Sequence, residues 1–513
     1  MVMEQLSYGS FGLIAALATI FFSLVLRRLA LGGKDKHSGA KLPPGPWNLP
    51  VIGSLHHLAS TKLAHRALLD LSRRHGPLML LRLGEVPTVI VSTPEAAMEV
   101  LKTNDLAFAS RPSGPTVDVV GCGGKGLIFA PYGEHWRQMR KVCVMEVLST
   151  RQVGRMESIK QDEVAHLVES IASSAAGVVD LGKAFGELTS NVIARAAFGG
   201  KCPQQEVYLQ AFNTIARLLG GFSVVDLFPS SRLVRWLSGS GRGIRTSYAR
   251  VQRILAEIIL EREEKKLPSG SDEDLLDVLL RLRKEDTLGF PLTSEMIGAV
   301  IFDIFGAATD TTAAQLEWAM AELVRNPRVM ARATLEVRQG LGQGRSTVTS
   351  ADVGDLRYLR MVIKETLRLH PAGALILRAS QKDCQVMGYD IPKGTHVTIN
   401  AFAVGRDPRH WGHDAAEFRP ERFEESGSAT GVEYKQGAQM EFVPFGAGRR
   451  QCPGALFATT TVEVVLANLL YHFDWAVPGG AGPETLDMSE VCGIILHTKS
   501  SLCLQPSRAP VST

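Results

Sequence analysis

Excess charge of one sign, cysteine and nucleotide or zinc motifs are all scarce in this chain. Across 513 residues, 56 Lys and Arg stand against 52 Asp and Glu, a net charge of +4. A balance that mild offers no extended surface to nucleic acid. With 45% hydrophobic and 21% charged residues, the composition also excludes a disordered or collagen-like protein. The seven cysteines (Cys122, Cys143, Cys202, Cys384, Cys452, Cys492 and Cys503) are odd in number and sparse. That argues against a disulfide framework and for a reducing compartment. There is no G-x-x-x-x-G-K-[ST], no H-E-x-x-H and no paired C-x-x-C. A literal G-x-G-x-x-G does occur at Gly121–Gly126, but Leu127-Ile128-Phe129-Ala130-Pro131 follows. Pro131 prevents the helix that a dinucleotide site needs, so the match is dismissed.

One long apolar run is present, at the start. Gln5 to Leu26 carries no charge and is almost continuously apolar from Phe11. As a helix it would be roughly 33 Å long, enough to cross a hydrocarbon core of about 30 Å. Arg27, Arg28, Lys34 and Lys36 follow, and Glu4 is the only charged side chain before it. The positive-inside rule then places the N-terminus in the lumen and the body in the cytoplasm. A cleaved signal peptide is the competing reading, but the basic start and the disulfide-type cysteine pattern are both missing. Pro43-Pro44-Gly45-Pro46 reads as a stiff linker. The expected organisation is an anchor over 1–28, a basic and Pro-rich hinge over 29–46, and one large domain over 47–513. No later segment reaches 18 apolar residues without a charge or a breaker, so a single span is expected.

The body has mostly helical period. Helices are expected over Thr61–His75, Pro94–Asn104, His135–Leu148, Val153–Ser173, Ser247–Lys266 and Leu456–Tyr471. Thr293–Arg325 is the longest, with Thr293 as N-cap, Glu295 in the first turn and Asn326-Pro327 as its end. Leu78–Leu83 and Thr88–Ser92 read as a hairpin across Gly84-Glu85, and Cys384–Ile399 as short strands turning at Gly388 and Gly394. The fold class is mainly α with a small β portion.

Glu365 and Arg368 share a helix face at i,i+3 spacing, which alone is most simply a surface ion pair. Asp310-Thr311-Thr312 interrupts the apolar stripe of the longest helix. A solvent-facing polar patch is the plain reading, and an acid beside a hydroxyl is also the equipment of a proton relay. The run Phe445-Gly446-Ala447-Gly448-Arg449-Arg450-Gln451-Cys452-Pro453-Gly454 is the most informative. Its cysteine sits in a Gly-rich loop, beside two arginines, where a helix begins, and each feature favours a thiolate. Pro453 has no N–H, so donors to the sulfur would come from Gly454 or Ala455. Such a thiolate is a soft ligand suited to iron.

On these residues the chain resembles the cytochrome P450 monooxygenases. Phe445, Gly448, Arg450, Cys452 and Gly454 meet F-x-x-G-x-R-x-C-x-G in full. Glu365 and Arg368 meet E-x-x-R, Pro420–Phe423 the P-E-R-F segment, and Trp136–Arg140 the W-R-x-x-R helix. The anchor, the Pro-rich hinge and Asn400–Pro408 are similar to the plant A-type microsomal branch. The resemblance implies a P450 fold and a haem b with Cys452 as axial thiolate and metal ligand. Trp136, Arg140, Arg378 and Arg450 would hold its propionates and Phe445 would join the haem-binding set. It implies Glu365, Arg368 and Arg422 as a structural triad, and Asp310 with Thr311 as the acid–alcohol pair that supplies protons during oxygen activation. Ala307, Ala308, Ala374, Leu377 and Ile494 would belong to the substrate pocket, with Phe108–Gly124 and Phe212–Phe228 contributing. Ala308 stands where Gly is usual, and Ala374 and Leu377 where Pro is usual.

The resulting expectation is a single-pass endoplasmic reticulum enzyme facing the cytoplasm. It would insert one oxygen atom from O2 into an apolar small molecule, a terpenoid as first guess. NADPH electrons would arrive through a separate cytochrome P450 reductase. A phenolic or indolic substrate, or a reductase-independent haem-thiolate isomerase or dehydratase, are the alternatives.

Overall fold

The computed structural model describes residues 39–59, 63–174, 177–200, 202, 204–220, 223–265, 273–286, 288–433 and 439–509. The proposed anchor and the first part of the hinge lie outside the described residues.

The helix Ser294–Arg325 organises the molecule. Its 32 residues span about 48 Å at 1.5 Å per residue. Thr293 caps it, its hydroxyl accepting from the Met296 N–H at 3.3 Å. It is apolar on nearly all sides, the pattern of a helix buried on every face. Its first half packs with Leu181–Phe198, Ser240–Glu264 and Leu275–Glu285, in a core that includes Tyr208, Leu279 and Val300. Its second half lies in another core with Leu359 of Arg357–Leu369 and Val465 of Ala455–His472. The Asp310-Thr311 turn falls where the two cores meet. Among the described residues, this helix and Ala455–His472 are long and apolar enough to cross a membrane. Most of each is buried in protein, so that apolarity serves the core.

A four-stranded sheet carries chain from both ends of the sequence. Leu78–Leu83 pairs antiparallel with Val86–Val91, Leu83 opposite Val86. Gly84 turns the hairpin with φ +64°, a conformation glycine adopts at no steric cost. Val86–Val91 runs parallel to His396–Asn400, with Val91 opposite Ile399. Leu375–Ala379 closes the sheet antiparallel on His396–Asn400, which presents Leu375–Leu377 to the centre of the molecule.

The hairpin, the short strands 384–386 and 389–391, and the final helix match the sequence reading. The helix expected over Ser247–Lys266 starts earlier and runs Ser240–Glu264, and three others differ in detail. Pro94–Met98 and Glu134–Val142 each continue as a π-helical turn, Glu99–Thr103 and Cys143–Val147. An apolar stripe cannot separate an i→i−5 turn from an i→i−4 turn at a helix end. The stretch read as Val153–Ser173 is broken at Met156 into Thr150–Arg155 and Glu157–Ser173. The Ser149 hydroxyl caps the first piece by accepting from the Gln152 N–H at 3.3 Å. The Gly121–Gly126 segment follows a short helix, Pro115–Val120, and forms a single 3-10 turn, with no strand before it.

Candidate active site

The Cys452 loop is fixed before any ligand is considered. Gly448 has φ +68°, and a Cβ there would lie 2.3 Å from the Leu101 carbonyl oxygen and 2.6 Å from Asp105 Oδ1. Only glycine fits. Asp105 accepts from the Arg449 backbone N–H at 3.1 Å and from its Nη1 at 2.7 Å. The Cys452 N–H donates to the Phe445 carbonyl at 2.9 Å, closing the loop on itself. The accessible surface of Cys452 faces a cavity of about 380 Å³ that it lines. All seven cysteines are free thiols. Burial pushes the Cys452 thiol up, opposed by the Gly454 N–H and by the charge of Arg140. Gly454 is thus one of the two donors expected from the sequence. A metal cation at the sulfur would overturn the balance in favour of the thiolate.

Beside the thiol lies a cluster of guanidinium groups. Arg450, on the loop, donates to the Ala109 carbonyl at 2.7 Å, to Leu127 at 3.2 Å and to Ala130. Its guanidinium lies 4.2 Å from the Trp136 ring centroid, while the Trp136 indole N–H donates to Leu127 at 3.1 Å. Arg378, on the sheet, reaches the Ala447 carbonyl at 3.4 Å, and Arg140 donates to the Gln451 carbonyl. Arg111 joins them, donating to Ile128 at 3.1 Å and to Leu377. It was missed by sequence reasoning, since an isolated arginine before Pro112 gives no local signal. Burial, followed by repulsion from Arg111 and Arg140, lowers Arg450 to about 9. Burial and then Arg140 lower Arg111 to about 10, and Arg378 is held well down by burial, Arg111 and Arg450. Among the described residues none of the four forms an ion pair with a carboxylate. Concentrated positive charge with only carbonyl partners suits a dianionic ligand.

On the opposite wall, Ile304, Ala307, Ala308 and Thr311 of the long helix line the cavity. The Thr311 hydroxyl donates to the Ala307 carbonyl one turn back. Asp310 does not line the cavity. Its carboxylate faces the C-terminal hairpin, with Oδ2 3.3 Å from His497 Nε2. Beside Thr311, the Thr312 hydroxyl and the Gln315 amide are buried with no hydrogen-bond partner among the described residues, and both residues line the cavity.

Leu377 and Ile494 line the cavity as expected. Ala374 does not. It is 1% exposed and packs behind the wall against Phe402 and Leu496. Residues 212–228 also contribute nothing to the lining among those described. Phe212 instead packs on Phe302 at 5.7 Å and fills the space over Gly306. The sequence could place both segments near the site, but which side chains turn inward depends on packing.

A polar exception in the apolar wall is Asp303, two turns before Asp310 and 5% exposed. Its carboxylate accepts from the backbone N–H of Leu127 at 2.6 Å and of Ile128 at 3.0 Å. Burial raises it to about 6 against those two bonds. Since the Leu127 carbonyl also receives Trp136 and Arg450, Asp303 ties the long helix to the arginine cluster through one loop. Nothing in the sequence around Asp303 signals this.

Glu365 and Arg368 are fully buried, which corrects the plain surface-pair reading of that spacing. Arg368 donates two bonds of 2.7 Å to the carboxylate, and Arg422 donates to Glu365 Oε1 at 2.9 Å. The remaining Arg368 N–H groups reach the Gly405, Ala415 and Glu417 carbonyls. A buried ion pair persists only when its leftover donors are met in this way.

Soft-metal chemistry at the sulfur and two negative charges at the guanidinium cluster would both be met by an iron porphyrin with its propionates, and the class so defined is a haem-thiolate enzyme. The cytochrome P450 family model matches residues 43–504, and the chain belongs to that family. It is accordingly a haem monooxygenase. The chain is 45% identical to zealexin A1 synthase of Zea mays, over 91% of this chain and 92% of the relative. It is 44% identical to premnaspirodiene oxygenase of Hyoscyamus muticus, over 95% and 99%. A zebra fish cytochrome P450 solved with abiraterone superposes with a TM-score of 0.72 at 25% identity, over 87% of this chain and 100% of that one.

Proposed function

We propose that this protein hydroxylates an apolar terpenoid, taking electrons from NADPH through a separate reductase, and that residues 1–28 anchor it in the endoplasmic reticulum membrane facing the cytoplasm. The observation carrying this reading is one cavity that the Cys452 thiol, the arginine cluster and the Thr311 hydroxyl share with mostly apolar walls. An apolar lining with few polar groups recognises a hydrocarbon by shape and excludes water around it. The relative named for oxygenating premnaspirodiene supports a terpenoid over a phenolic or indolic substrate.

Haem, when bound, supplies oxygen binding and the oxidising power. Cys452 would hold it by the sulfur. Arg111, Arg140, Arg378 and Arg450 would pair its propionates, with Trp136 backing Arg450, and Phe445 would pack against it. Ala307, Ala308, Leu377 and Ile494 orient the substrate carbon. Thr311 holds a proton at the cavity wall and Asp310 replenishes it. Glu365, Arg368 and Arg422 keep the segments behind the site in register.

Co-expression with a reductase and incubation with sesquiterpene and diterpene hydrocarbons tests the reading. NADPH- and O2-dependent monohydroxylated product is expected. In that assay Thr311→Ala should retain haem and consume NADPH while losing most product, the electrons leaving as peroxide. Turnover that persists without reductase would favour an isomerase or dehydratase instead.

A further inference from the structure

We propose that His497 is the solvent-side partner of Asp310, passing protons from bulk water to that carboxylate and so toward the cavity. The proposal rests on the monooxygenase reading of the same site. His497 lies on Leu496–Thr498, paired antiparallel with Glu490–Cys492 and opposite Val491. This strand is fixed on both sides. The Leu496 carbonyl accepts the Trp318 indole N–H at 3.1 Å, and the Leu496 N–H donates to Ala372, on the cavity wall, at 2.9 Å. His497 therefore cannot drift from the long helix, and its Nε2 stands 3.3 Å from Asp310 Oδ2.

The placement is that of an inlet. The two side chains are 30% and 26% exposed, so water reaches both. Thr311, the next residue, faces the cavity. Successive helix residues diverge by about 100°, which lets neighbouring side chains address opposite sides of one wall. The charged groups facing His497 are Asp310 and Glu317, both on the long helix. Glu317 is engaged by the Leu502 N–H at 2.8 Å, which leaves Asp310 as the partner free to exchange a proton. Burial opposes the imidazolium, and the two carboxylates outweigh it, raising His497 above its ordinary value. The ion pair with Asp310 thus favours the protonated imidazole at this position.

In the transfer, the His497 Nε2–H bond breaks and an O–H bond forms at Asp310 Oδ2. An imidazolium and a carboxylate become a neutral imidazole and a carboxylic acid. Hydronium from bulk solvent then returns a proton to the imidazole and becomes water, and no electrons move. With its charge gone, Asp310 is no longer drawn to His497 by an ion pair, and its carboxyl is free to turn inward.

The test compares His497→Gln and His497→Arg in the full-length holoenzyme with reductase, reading haem content, product per NADPH and pH profile. Arginine keeps the positive charge and the ion pair but releases no proton near neutrality. Both variants should keep haem. Both should lose about tenfold in product per NADPH, less than the hundredfold or more typical of a group acting directly on substrate. Both should also lose the alkaline limb of the wild-type profile. Wild-type coupling and profile in His497→Arg would make the contact a plain ion pair and overturn the proposal. The second measurement does not need turnover: histidine-labelled NMR titration of the reduced, carbon monoxide-bound holoenzyme. Asp310→Asn should lower the His497 midpoint by about 1 in pH, and an unmoved midpoint overturns the proposal. Failure of the monooxygenase reading would be distinct, since the wild type would then show no NADPH-dependent oxygen uptake.

Discussion

At the scale of single residues, Cys452 and Asp303 show how the same burial acts on two acids with different neighbours. The Cys452 thiol is raised by burial and has only Gly454 and Arg140 to help it ionise, so it becomes a thiolate when a metal binds it. Cys452→Ser should abolish the carbon monoxide difference band of the reduced enzyme and its turnover, because a hydroxyl is a poorer donor to iron than a thiolate. A variant that kept the band would remove Cys452 as the ligand. Asp303 stands at about 6, above the unfolded value of about 3.9. Between those values the folded state holds a proton that the unfolded state has lost, so stability falls as pH rises through the window. The cost of ionising Asp303 is about 3 kcal/mol, at 1.36 kcal/mol per pH unit. Urea unfolding of wild type and Asp303→Asn from pH 4 to 7 should show the wild type losing ground by about that amount, and a pH-independent difference would contradict the assignment. Only one of the two acids was legible in the sequence. Cys452 stood out through its Gly- and Arg-rich loop, whereas Asp303 is one more polar residue in an apolar helix until the Leu127 and Ile128 N–H groups are seen to converge on it.

Among the elements, the long helix carries the most function per residue, and its span, cap and end were legible from Thr293, Glu295 and Asn326-Pro327 because these are local features. Its close approach to Gln205–Gly220 was not. A Cβ on Gly306 would lie 2.0 Å from the Phe212 ring, so this residue, just before the Ala307-Ala308 pair, is where small size is needed. Gly306→Ala should destabilise by about 1–3 kcal/mol through overpacking. Adding Phe212→Leu should recover most of it, and purely additive effects in thermal unfolding would count against the contact. Ala308 lines the cavity, and Ala308→Gly should alter product ratio or coupling more than stability. Ala374 lies behind the wall, so any effect of restoring proline there must reach the substrate through backbone position, not through contact.

The whole molecule is held around the site by residues far apart in sequence. Glu365 binds Arg368 and Arg422 in complete burial, joining one helix to the segment that leads into the Cys452 loop. Glu365→Gln leaves two buried guanidinium groups short of a counter-charge, and breaking such a pair costs about 3–5 kcal/mol. Loss of haem-loaded protein on expression is the expected result, and normal yield and melting temperature would contradict it. Removing residues 1–28 should move the protein toward the soluble fraction with haem retained. Some membrane affinity should remain through the exposed Trp236 and Leu237 at the surface, measurable by flotation with vesicles. Haem loss on truncation would count against an independent anchor.

What the sequence by itself determined was whatever is written in contiguous residues. The Gly-rich cysteine loop, the Glu365-Arg368 spacing, the hairpin turn at Gly84 and the caps of the long helix each depend on neighbours within a few positions, where backbone sterics and helical period act. Only the tertiary structure decided which side chains meet across hundreds of residues. Arg111 joined Arg140, Arg378 and Arg450 because three separate segments pack against the Cys452 loop. Ala374 and residues 212–228 were turned from the cavity because apolar side chains fill whichever void the packed elements leave. Asp310 was turned to His497 because a hairpin some 180 positions later in the chain is fixed beside it through Trp318 and Ala372. Close packing and charge pairing act through space, and spacing along the chain does not encode them.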